Sequence, residues 1–420
     1  MHIAQLGEAT YPSSLRRSVS DLVYVTEHMV RTEGAPPGEG FRFELAGPRA
    51  KLFFDPKTVR AGIVTCGGLC PGLNCVIRSL FMELHHAYGA KEVLGFRGGY
   101  QGLDPSRSEA PLVLTPAFVN DIHKAGGTVL GTSRGPVDVK VAVDNLIRLG
   151  VNMLFTIGGD GTQRGANELY QEAQKRGHSL AVVGLPKTID NDVAFVSRTF
   201  GYLTAVEEGA KVLERAHTEA RSVRNGISLV KLMGRLAGFI AAGATVASQD
   251  VNFVLVPEVP FRLEGPRGFL AALKERMLRR GHAVIVVAEG AGQDLLKHGE
   301  QARDASGNAL LADIGPFLRD RISAFLKAEN VPSVMRYFDP SYLVRSSPAN
   351  AGDTVLCDQF ARHAVHAAMA GKTGLVIGFL HDKFIHVPIE LLAARKKTMG
   401  LDSLAWTAAL AATGQPEKFE

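Results

Sequence analysis

The chain has few cysteines, few aromatic residues and no long apolar run. Its 420 residues include 4 cysteines, which is too few for a disulfide scaffold of this length. Free thiols fit a reducing compartment, so a cytoplasmic location is expected. A run of about 18 apolar residues and a basic-then-apolar signal pattern are both missing. The sequence therefore predicts neither a membrane span nor secretion.

The cysteines also fail to define a metal site. Cys66, Cys70 and Cys75 lie close together in the sequence, but no fourth Cys or His completes a usual zinc spacing. A phosphate-binding loop explains this glycine-containing stretch better than a zinc site does.

Charge of one sign does not dominate either. Lys and Arg number 47 and Asp and Glu 42, giving a net charge of +5 and a pI of about 9.0. Because the basic residues are dispersed and few aromatic residues interleave with them, small anionic ligands are expected as partners, and nucleic acid is not. The densest basic run is Arg395-Lys396-Lys397, which we interpret as a solvated helix end and not as a docking patch.

The chain is rich in glycine, and many of its 45 glycines follow short apolar runs. Such runs at 61–64, 151–157 and 227–232 each lead into a glycine-containing loop and then a helical pattern. Alternating strands and helices predict parallel sheets covered on both faces, and the length favours two sheets over one very wide sheet. We therefore predict the α/β class, with two Rossmann-like α/β/α domains and mainly parallel sheets. An N-terminal arm at 1–58, with chain-breaking residues at 34–40, precedes them.

The first loop, at 65–74, has glycines that let the backbone approach phosphate oxygens, and the helix after it offers unpaired N–H groups. It lacks the Lys-Ser/Thr of a P-loop. Taken alone, it is explained equally well as a plain structural turn.

The second loop, Gly-Gly-Asp-Gly-Thr at 158–162, places Asp160 just beyond a strand and beside exposed backbone amides. A carboxylate there can hold Mg²⁺ while the amides bind phosphates. The alternative is that Asp160 only caps the next helix, but the glycines on both sides favour a ligand loop. The pattern indicates a kinase without naming its substrate.

The third loop, Pro-Lys-Thr-Ile-Asp-Asn-Asp at 186–192, brings two carboxylates, an amide, a hydroxyl and a cation together after a strand. Phosphoryl transfer to an alcohol needs a carboxylate to accept the hydroxyl proton and cations to neutralise the transferring group. A turn-rich surface loop is the alternative, but it does not explain the companion motifs elsewhere in the chain.

These two motifs, followed by Lys-Leu-Met-Gly-Arg at 231–235, resemble the phosphofructokinase family over roughly residues 44–392. The stretch from Ala46 to Pro56 resembles the arm of the long ATP-dependent enzymes of plants, trypanosomatids and some bacteria. The resemblance implies Mg²⁺-dependent transfer of the γ-phosphate of ATP to the C1 hydroxyl of fructose 6-phosphate, the committed step of glycolysis. It also implies a homo-oligomer, a tetramer in particular.

The resemblance also implies roles for individual residues. Asp190 matches the general base, Asp192 a supporting carboxylate, Asp160 the Mg²⁺ carboxylate, and Arg134 and Arg235 the arginines that act on the transferring phosphate. The remaining matches are nucleotide and sugar-phosphate contacts. The nucleotide contacts are Gly68, Arg134, Gly161, Thr162 and Gly165. The sugar-phosphate contacts are Thr188, Met233, Gly234, Arg235, Glu289, Arg336, Tyr342 and Arg345.

The sequence departs at two positions from the compact bacterial enzymes of the family. The compact enzymes carry an arginine where this chain has Gly226, and that arginine reaches the sugar phosphate of a neighbouring subunit. Arg221 or Arg224 could substitute for it. They also carry a histidine where this chain, like the long group, has Tyr342.

The choice of phosphoryl donor rests on two positions. Pyrophosphate-dependent members of the family usually carry Asp where this chain has Gly161, and that side chain fills the space of the α-phosphate of ATP. Lys187 instead matches the pyrophosphate enzymes, although the long ATP-dependent group combines the same Gly and Lys. A steric and charge block outweighs one cation, so ATP is the predicted donor and pyrophosphate the alternative.

The resemblance implies the following division of the chain. The nucleotide domain covers 59–201 and returns for 345–370; the fructose 6-phosphate domain covers 202–344 and returns for 371–392; a C-terminal tail covers 393–420.

The rival interpretations are a kinase of the NAD-kinase type, which leaves the third loop unexplained, and a non-catalytic nucleotide and sugar-phosphate sensor, which would be expected to have lost Asp160 or Asp190.

Overall fold

The arm forms short strands that pair with one another and with the body of the protein. The structure, a computed structural model, describes residues 2–28, 40–296 and 310–420, so most of the predicted chain-breaking stretch lies outside the described residues. Within the arm, β2 pairs with β5 and β3 pairs with β4, both antiparallel. The arm strands are β1 (Ala4–Gln5), β2 (Tyr11–Pro12), β3 (Tyr24–Thr26), β4 (Arg42–Glu44) and β5 (Lys51–Leu52).

A 7-stranded sheet forms the larger unit, in the order β17-β16-β10-β9-β6-β7-β8. The five central strands are parallel, and β8 and β17 are antiparallel edge strands. Every residue of β9 and β10 is buried, as expected for central parallel strands covered on both faces. The strands are β6 (Arg60–Thr65), β7 (Glu92–Gly95), β8 (Leu112–Val113), β9 (Met153–Gly158), β10 (Ala181–Pro186), β16 (Leu375–Leu380) and β17 (Lys383–Pro388); the short β15 (Lys372–Thr373) pairs with β1.

Helices cover this sheet in two groups, one with α1 against α10 and the other with α4 against α3 and α11. Side-chain caps start three of them: Thr115 accepts the N–H of Phe118 at α2, Asp138 that of Lys140 at α3, and Asn350 that of Asp353 at α10. The helices are α1 (Leu73–Met82), continued by a π turn at Glu83–Tyr88, α2 (Pro116–Val119), α3 (Val139–Arg148), α4 (Asp160–Lys175), α10 (Ala351–Met369) and α11 (Ile389–Ala394).

The smaller unit is a 4-stranded, fully parallel sheet in the order β12-β13-β11-β14. Its strands are β11 (Gly226–Leu232), β12 (Phe253–Leu255), β13 (Ala283–Ala288) and β14 (Val334–Phe338). Its helices are α5 (Tyr202–Ser222), α6 (Phe239–Ser248), α7 (Phe269–Arg280), α8 (Ile314–Ala328), α9 (Ser341–Ser346) and α12 (Leu404–Thr413). The α/β class with mainly parallel sheets is therefore as predicted.

The predicted membership of residues 371–392 is wrong. β16 pairs in parallel with β10 and β17 pairs with β16, so this segment extends the larger sheet and not the fructose 6-phosphate unit. An apolar strand can pair with the edge of either sheet, and its own sequence does not specify which. The C-terminal tail does reach the smaller unit, because α12 packs on α6 and the Gln415 side chain hydrogen-bonds both backbone groups of Val254.

The hydrophobic core does not divide between the two units. Alternate residues of β13 point to opposite faces: Val284, Val286 and Ala288 join the core of the larger sheet, whereas Ala283, Ile285 and Val287 join a second core beneath α7 and α8. The face of the smaller sheet that carries α5 and α6 is thus continuous with the main core. This packing fixes the carboxyl ends of both sheets relative to each other.

Candidate active site

A cavity of about 460 Å³ lies where loops from both sheets meet. Its walls come from the loops after β6, β9, β10, β11 and β13, the position at which parallel α/β sheets place their ligands. Most of the predicted site residues line it, although they are scattered over more than half of the chain. They are Gly68, Arg134, Asp160, Gly161, Thr162, Gly165, Lys187, Thr188, Asp190, Asp192, Met233, Arg235, Glu289 and Arg345.

Cationic side chains converge on Gly68. A Cβ at this glycine would lie 3.5 Å from Nη1 of Arg345 and 3.6 Å from Nη2 of Arg134. The ammonium of Lys187 donates to the Gly68 carbonyl at 2.7 Å, and burial lowers the pKa of this lysine. Three cationic groups therefore lie around this glycine, and guanidinium and ammonium groups in such an arrangement suit an anion.

The Asp160 loop forms the first turn of α4. The cavity walls raise the pKa of Asp160 by removing water, and the negative charge of Asp192 raises it further. Thr162 packs against Gly158, where a Cβ would lie only 2.1 Å from the threonine hydroxyl. The first turn of a helix presents free N–H groups and the positive end of its dipole, so this loop suits phosphate oxygens.

Two residues that the sequence analysis missed hold this loop in place. The hydroxyl of Tyr100 donates to the Thr162 carbonyl at 2.5 Å, and its ring lies where a Cβ on Gly165 would stand. The buried amide of Gln163 donates to the carbonyl of Gly158 at 3.0 Å and to that of Leu185 at 3.3 Å, which ties the ends of β9 and β10 together. Neither residue belongs to a glycine or carboxylate motif, so no local pattern marked them.

Asp190 is positioned by a tight turn beyond β10. Its backbone N–H donates to the Thr188 hydroxyl at 3.0 Å. Asn191 adopts a left-handed conformation with φ 56°, which Asn tolerates better than most residues, and its side chain accepts the N–H of Thr199 at 3.0 Å. The loop therefore holds the carboxylate by local hydrogen bonds.

The Asp190 carboxylate is poised to accept a proton. Burial raises its pKa, and the negative charges of Asp192 and Glu289 raise it further. The backbone N–H of Arg235 opposes this shift by hydrogen bonding to the carboxylate. Its Oδ1 is buried and has no hydrogen-bond partner among the described residues, which is unusual for a carboxylate oxygen and indicates a place for a ligand group.

The smaller unit contributes Met233, Gly234, Arg235 and Glu289. Gly234 has φ 133°, and a Cβ there would lie 2.7 Å from the Ala237 carbonyl, so only glycine fits. Backbone hydrogen bonds from Glu289 to Leu232 at 2.9 Å and from Gly290 to Gly234 at 3.1 Å join the two loops. This pairing sets Glu289 near Arg235, whose positive charge opposes the rise that burial causes in the pKa of Glu289.

The phosphofructokinase family model matches residues 60–368. The chain belongs to the phosphofructokinase family. Relatives confirm the predicted resemblance to the long ATP-dependent group. The chain is 47% identical over 384 residues to the ATP-dependent 6-phosphofructokinase of Borreliella burgdorferi, covering 90% of this chain and 86% of the relative. It is 47% identical over 366 residues to that of Trypanosoma brucei brucei, covering 86% and 74%.

A plant relative extends the match to nearly the whole chain. ATP-dependent 6-phosphofructokinase 4, chloroplastic, of Arabidopsis thaliana is 44% identical over 421 residues, covering 97% of this chain and 78% of the relative. Among solved structures, the pyrophosphate-dependent phosphofructokinase of Marinobacter aquaeolei matches with a TM-score of 0.69 at 20% identity, covering 86% of this chain and 93% of that one. Pichia pastoris phosphofructokinase matches with a TM-score of 0.65 at 23% identity, covering 84% and 37%. At these identities the structures establish the fold.

Within the described residues, no helix has the length and apolar character needed to cross a membrane.

Three residues assigned by the family resemblance do not line the cavity. Gly234 lies behind its wall; Arg336 is exposed on β14 and pairs with Glu219 at 3.2 Å; Tyr342 is 75% exposed. The guanidinium of Arg345 lies over the Tyr342 ring at 4.5 Å, so α9 carries a cationic and aromatic surface that faces outward next to the cavity.

The structure also accounts for the glycine at position 226. A Cβ there would lie 2.2 Å from the Ala220 carbonyl, because the chain turns directly from α5 into β11. A side chain as large as arginine would require the backbone to move. Arg221 and Arg224 are exposed near this turn and do not line the cavity.

The interpretation of the basic run as a solvated helix end holds for Arg395, the exposed C-cap of α11, and is wrong for the two lysines. Lys396 and Lys397 line the cavity, and the chain there is extended, with Lys396 forming an antiparallel bridge to Val193. Lys397 donates to the carbonyls of Val196 at 2.7 Å and Ser197 at 3.0 Å. The partners lie about two hundred residues upstream, so no local signal in the sequence could have placed this run at the site.

Proposed function

We propose that the chain is an ATP-dependent 6-phosphofructokinase, which transfers the γ-phosphate of ATP to the C1 hydroxyl of fructose 6-phosphate and gives fructose 1,6-bisphosphate and ADP. The observation that carries the proposal is the buried Oδ1 of Asp190, which has no hydrogen-bond partner in the part of the chain that the structure describes and shares one cavity with the Asp160 loop and Arg235. An acceptor hydroxyl beside this oxygen gains the hydrogen bond that the protein does not supply.

Asp190 is the general base. It takes the proton of the C1 hydroxyl as that oxygen attacks the γ-phosphorus, and the raised pKa of Asp190 suits a base that works near neutral pH. Arg134 and Arg235 neutralise the charge that spreads over the transferring phosphoryl oxygens. Asp192 keeps the pKa of Asp190 high and shares the loop that positions it.

The carboxylates of the cavity fit Mg²⁺ as a cofactor. Asp160 would hold the ion, since hard cations prefer carboxylate oxygens. Within the described ranges no cluster of three His, Cys, Asp or Glu side chains could hold a metal unaided, which agrees with Mg²⁺ being bound by one or two carboxylates together with substrate phosphates. The ion would offset the charge of the donor phosphates. The residues Gly68, Gly161, Thr162 and Gly165 then approach the nucleotide through their backbone.

The sugar phosphate lies against the smaller unit. Thr188, Met233 and Glu289 contact the sugar, Gly234 shapes the loop that presents Met233, and Arg345 with Tyr342 binds the 6-phosphate. Arg336 is too exposed to complete this site within its own subunit, so we propose that it serves a neighbouring subunit in a homotetramer. We place the enzyme in the cytoplasm, since its four cysteines are free and buried.

A coupled assay with fructose 6-phosphate tests the proposal. Activity with ATP, absent in Asp190→Asn, supports it; activity with pyrophosphate in place of ATP would favour the alternative donor that Lys187 suggests. NAD⁺ and other alcohols serve as control acceptors, and transfer to NAD⁺ in preference to fructose 6-phosphate would contradict the assignment. Binding of ATP and fructose 6-phosphate without turnover would favour the alternative of a non-catalytic sensor.

A further inference from the structure

A C-terminal strap, residues 395–399, crosses the cavity from the arm to the smaller unit. At one end Arg395 donates to Glu27 of the arm at 2.6 Å and lies over the rings of Phe41 and Phe195 at 5.1 and 5.7 Å. At the other end the N–H of Met399 donates to Glu258 at 2.9 Å. The strap is thus fixed at both ends.

Lys397 fixes the middle of the strap to the loop that follows Asp190. Its backbone N–H donates to the Asp192 carbonyl at 3.3 Å, and its ammonium, which donates to the two loop carbonyls described above, lies 5.0 Å from the Phe239 ring. Burial lowers the pKa of Lys397 to about 8. These partners commit its ammonium to holding the loop.

Lys396 is oriented differently. Because side chains alternate along extended backbone, it faces away from the side on which Arg395 and Lys397 are anchored. Its side chain is exposed within the cavity. The Asp160 carboxylate lines the same cavity, and the backbone bridge from Lys396 to Val193 places the lysine next to the loop that carries Asp192. An ammonium group therefore shares the cavity with the proposed Mg²⁺ carboxylate.

We propose that Lys396 is a ligand of the phosphate chain of the phosphoryl donor. This inference rests on the proposed function, which brings a polyphosphate to the Asp160 loop. The anchored strap delivers the lysine, and the ammonium on its flexible stem donates to phosphate oxygens as a point charge. Lys396 thereby extends the donor site with a segment outside residues 60–368, the part matched by the family model.

The test measures binding of MgATP and of fructose 6-phosphate by calorimetry in wild type, Lys396→Gln, Lys396→Arg and the control Lys383→Gln. Lys383 is an exposed lysine on β17 that does not line the cavity. A lost charge-assisted hydrogen bond predicts about a tenfold rise in the Kd of MgATP for Lys396→Gln, with the Kd of fructose 6-phosphate within about twofold. Lys396→Arg should recover most of the affinity, and Lys383→Gln should match wild type.

Two results overturn the proposal. One is a Kd of MgATP in Lys396→Gln within about twofold of wild type, which would make Lys396 a solvated lysine. The other is an equal loss of both ligands, which would make the strap a positioning element only. A wild type that binds MgATP but does not phosphorylate fructose 6-phosphate would instead contradict the proposed function, and the Kd comparison would still decide the role of Lys396.

Discussion

At the scale of single residues, Asp190 concentrates the features that catalysis needs. Its loop is held by hydrogen bonds that the Thr188 hydroxyl and the Asn191 side-chain oxygen accept from backbone N–H groups, so the carboxylate does not depend on substrate for its position. Burial and Asp192 raise its pKa, while one oxygen stays free for an acceptor hydroxyl. Ionisation of this carboxylate therefore costs free energy, so the carboxylate readily takes up a proton, and it lies where the reaction releases one.

Asp190→Asn should retain substrate binding and lose turnover. The amide keeps the shape of the side chain but cannot accept the C1 proton, and loss of a general base typically lowers kcat about 10²–10⁴-fold. Steady-state kinetics and calorimetric Kd values for both substrates measure the two effects. A fall of less than about tenfold in kcat, with unchanged KM, would show that another group is the base.

The pH dependence of kcat/KM should report the charge of Asp192. The base must be deprotonated, so activity rises with pH through the pKa of Asp190. Asp192 raises that pKa; Asp192→Asn should therefore move the rise to lower pH. Asp382→Asn serves as control, because Asp382 is exposed and does not line the cavity. A rise that stays in place in Asp192→Asn, or moves to higher pH, would contradict this electrostatic coupling.

Gly161→Asp should suppress use of ATP more than use of pyrophosphate. Gly161 lies in the first turn of α4 and is not among the glycines with positive φ, so Asp is compatible with the backbone. The new carboxylate would meet the α-phosphate of ATP, a group that pyrophosphate lacks. The ratio of kcat/KM for the two donors is the quantity to measure, because misfolding would lower both. An unchanged ratio would leave Lys187 as the better guide to the donor.

At the scale of elements, the arm is attached to the larger sheet by a buried charge cluster. Glu44 on β4 accepts from Arg49 at 2.5 Å, from Lys372 at 2.7 Å and contacts His386 at 3.1 Å. Burial opposes ionisation of Glu44, but its hydrogen bonds with His386 and Lys372 outweigh burial and hold its pKa well below the usual range. The arm is thereby joined to β15 and β17.

Glu44→Gln should destabilise the protein, because Arg49 and Lys372 then keep only the more exposed Asp21 as a carboxylate partner, at 2.6 and 3.0 Å. Breaking a buried ion pair from one side costs about 3–5 kcal/mol, which is the upper bound expected here and is measurable by denaturant unfolding. A group with a depressed folded pKa stabilises above its unfolded pKa and loses this effect as pH falls. The difference in the free energy of unfolding between wild type and Glu44→Gln should thus shrink below about pH 4.5. Equal stability at pH 7 would show that the cluster does not hold the arm.

At the scale of the whole molecule, the residues proposed for the sugar phosphate divide between the cavity and the surface. Arg345 lines the cavity, whereas Arg336 pairs with Glu219 on the surface, where Tyr342 and Leu343 are also exposed. Exposed aromatic and apolar groups beside a cation are typical of interfaces. The active unit is therefore expected to be an oligomer in which surfaces near α9 meet a second copy.

Mixing two inactive variants should restore activity if Arg336 acts across an interface. Arg336→Ala and Asp190→Asn subunits, refolded together, would form hybrid sites that have both an intact base and an intact arginine. Sedimentation should show a tetramer in the mixture and in wild type. A fully active monomer, or a mixture no more active than its components, would place Arg336 outside the site.

The sequence by itself determined the loops that carry the chemistry. Asp160, Asp190 and the Met233–Arg235 stretch stand at the ends of apolar strands, and parallel strands bring such ends to one edge. Their residue types and spacing are local, so the class of reaction and the α/β class could be read without coordinates.

Only the tertiary structure decided what long-range packing fixes. Residues 371–392 pair with the larger sheet, and Lys396 and Lys397 line the cavity. The backbone of α5 occupies the space that a side chain at position 226 would need. Each of these depends on contacts between different elements. Such a contact gives no periodic or compositional signal in either segment, because it depends on the shape and charge of two surfaces that form only when the elements pack together.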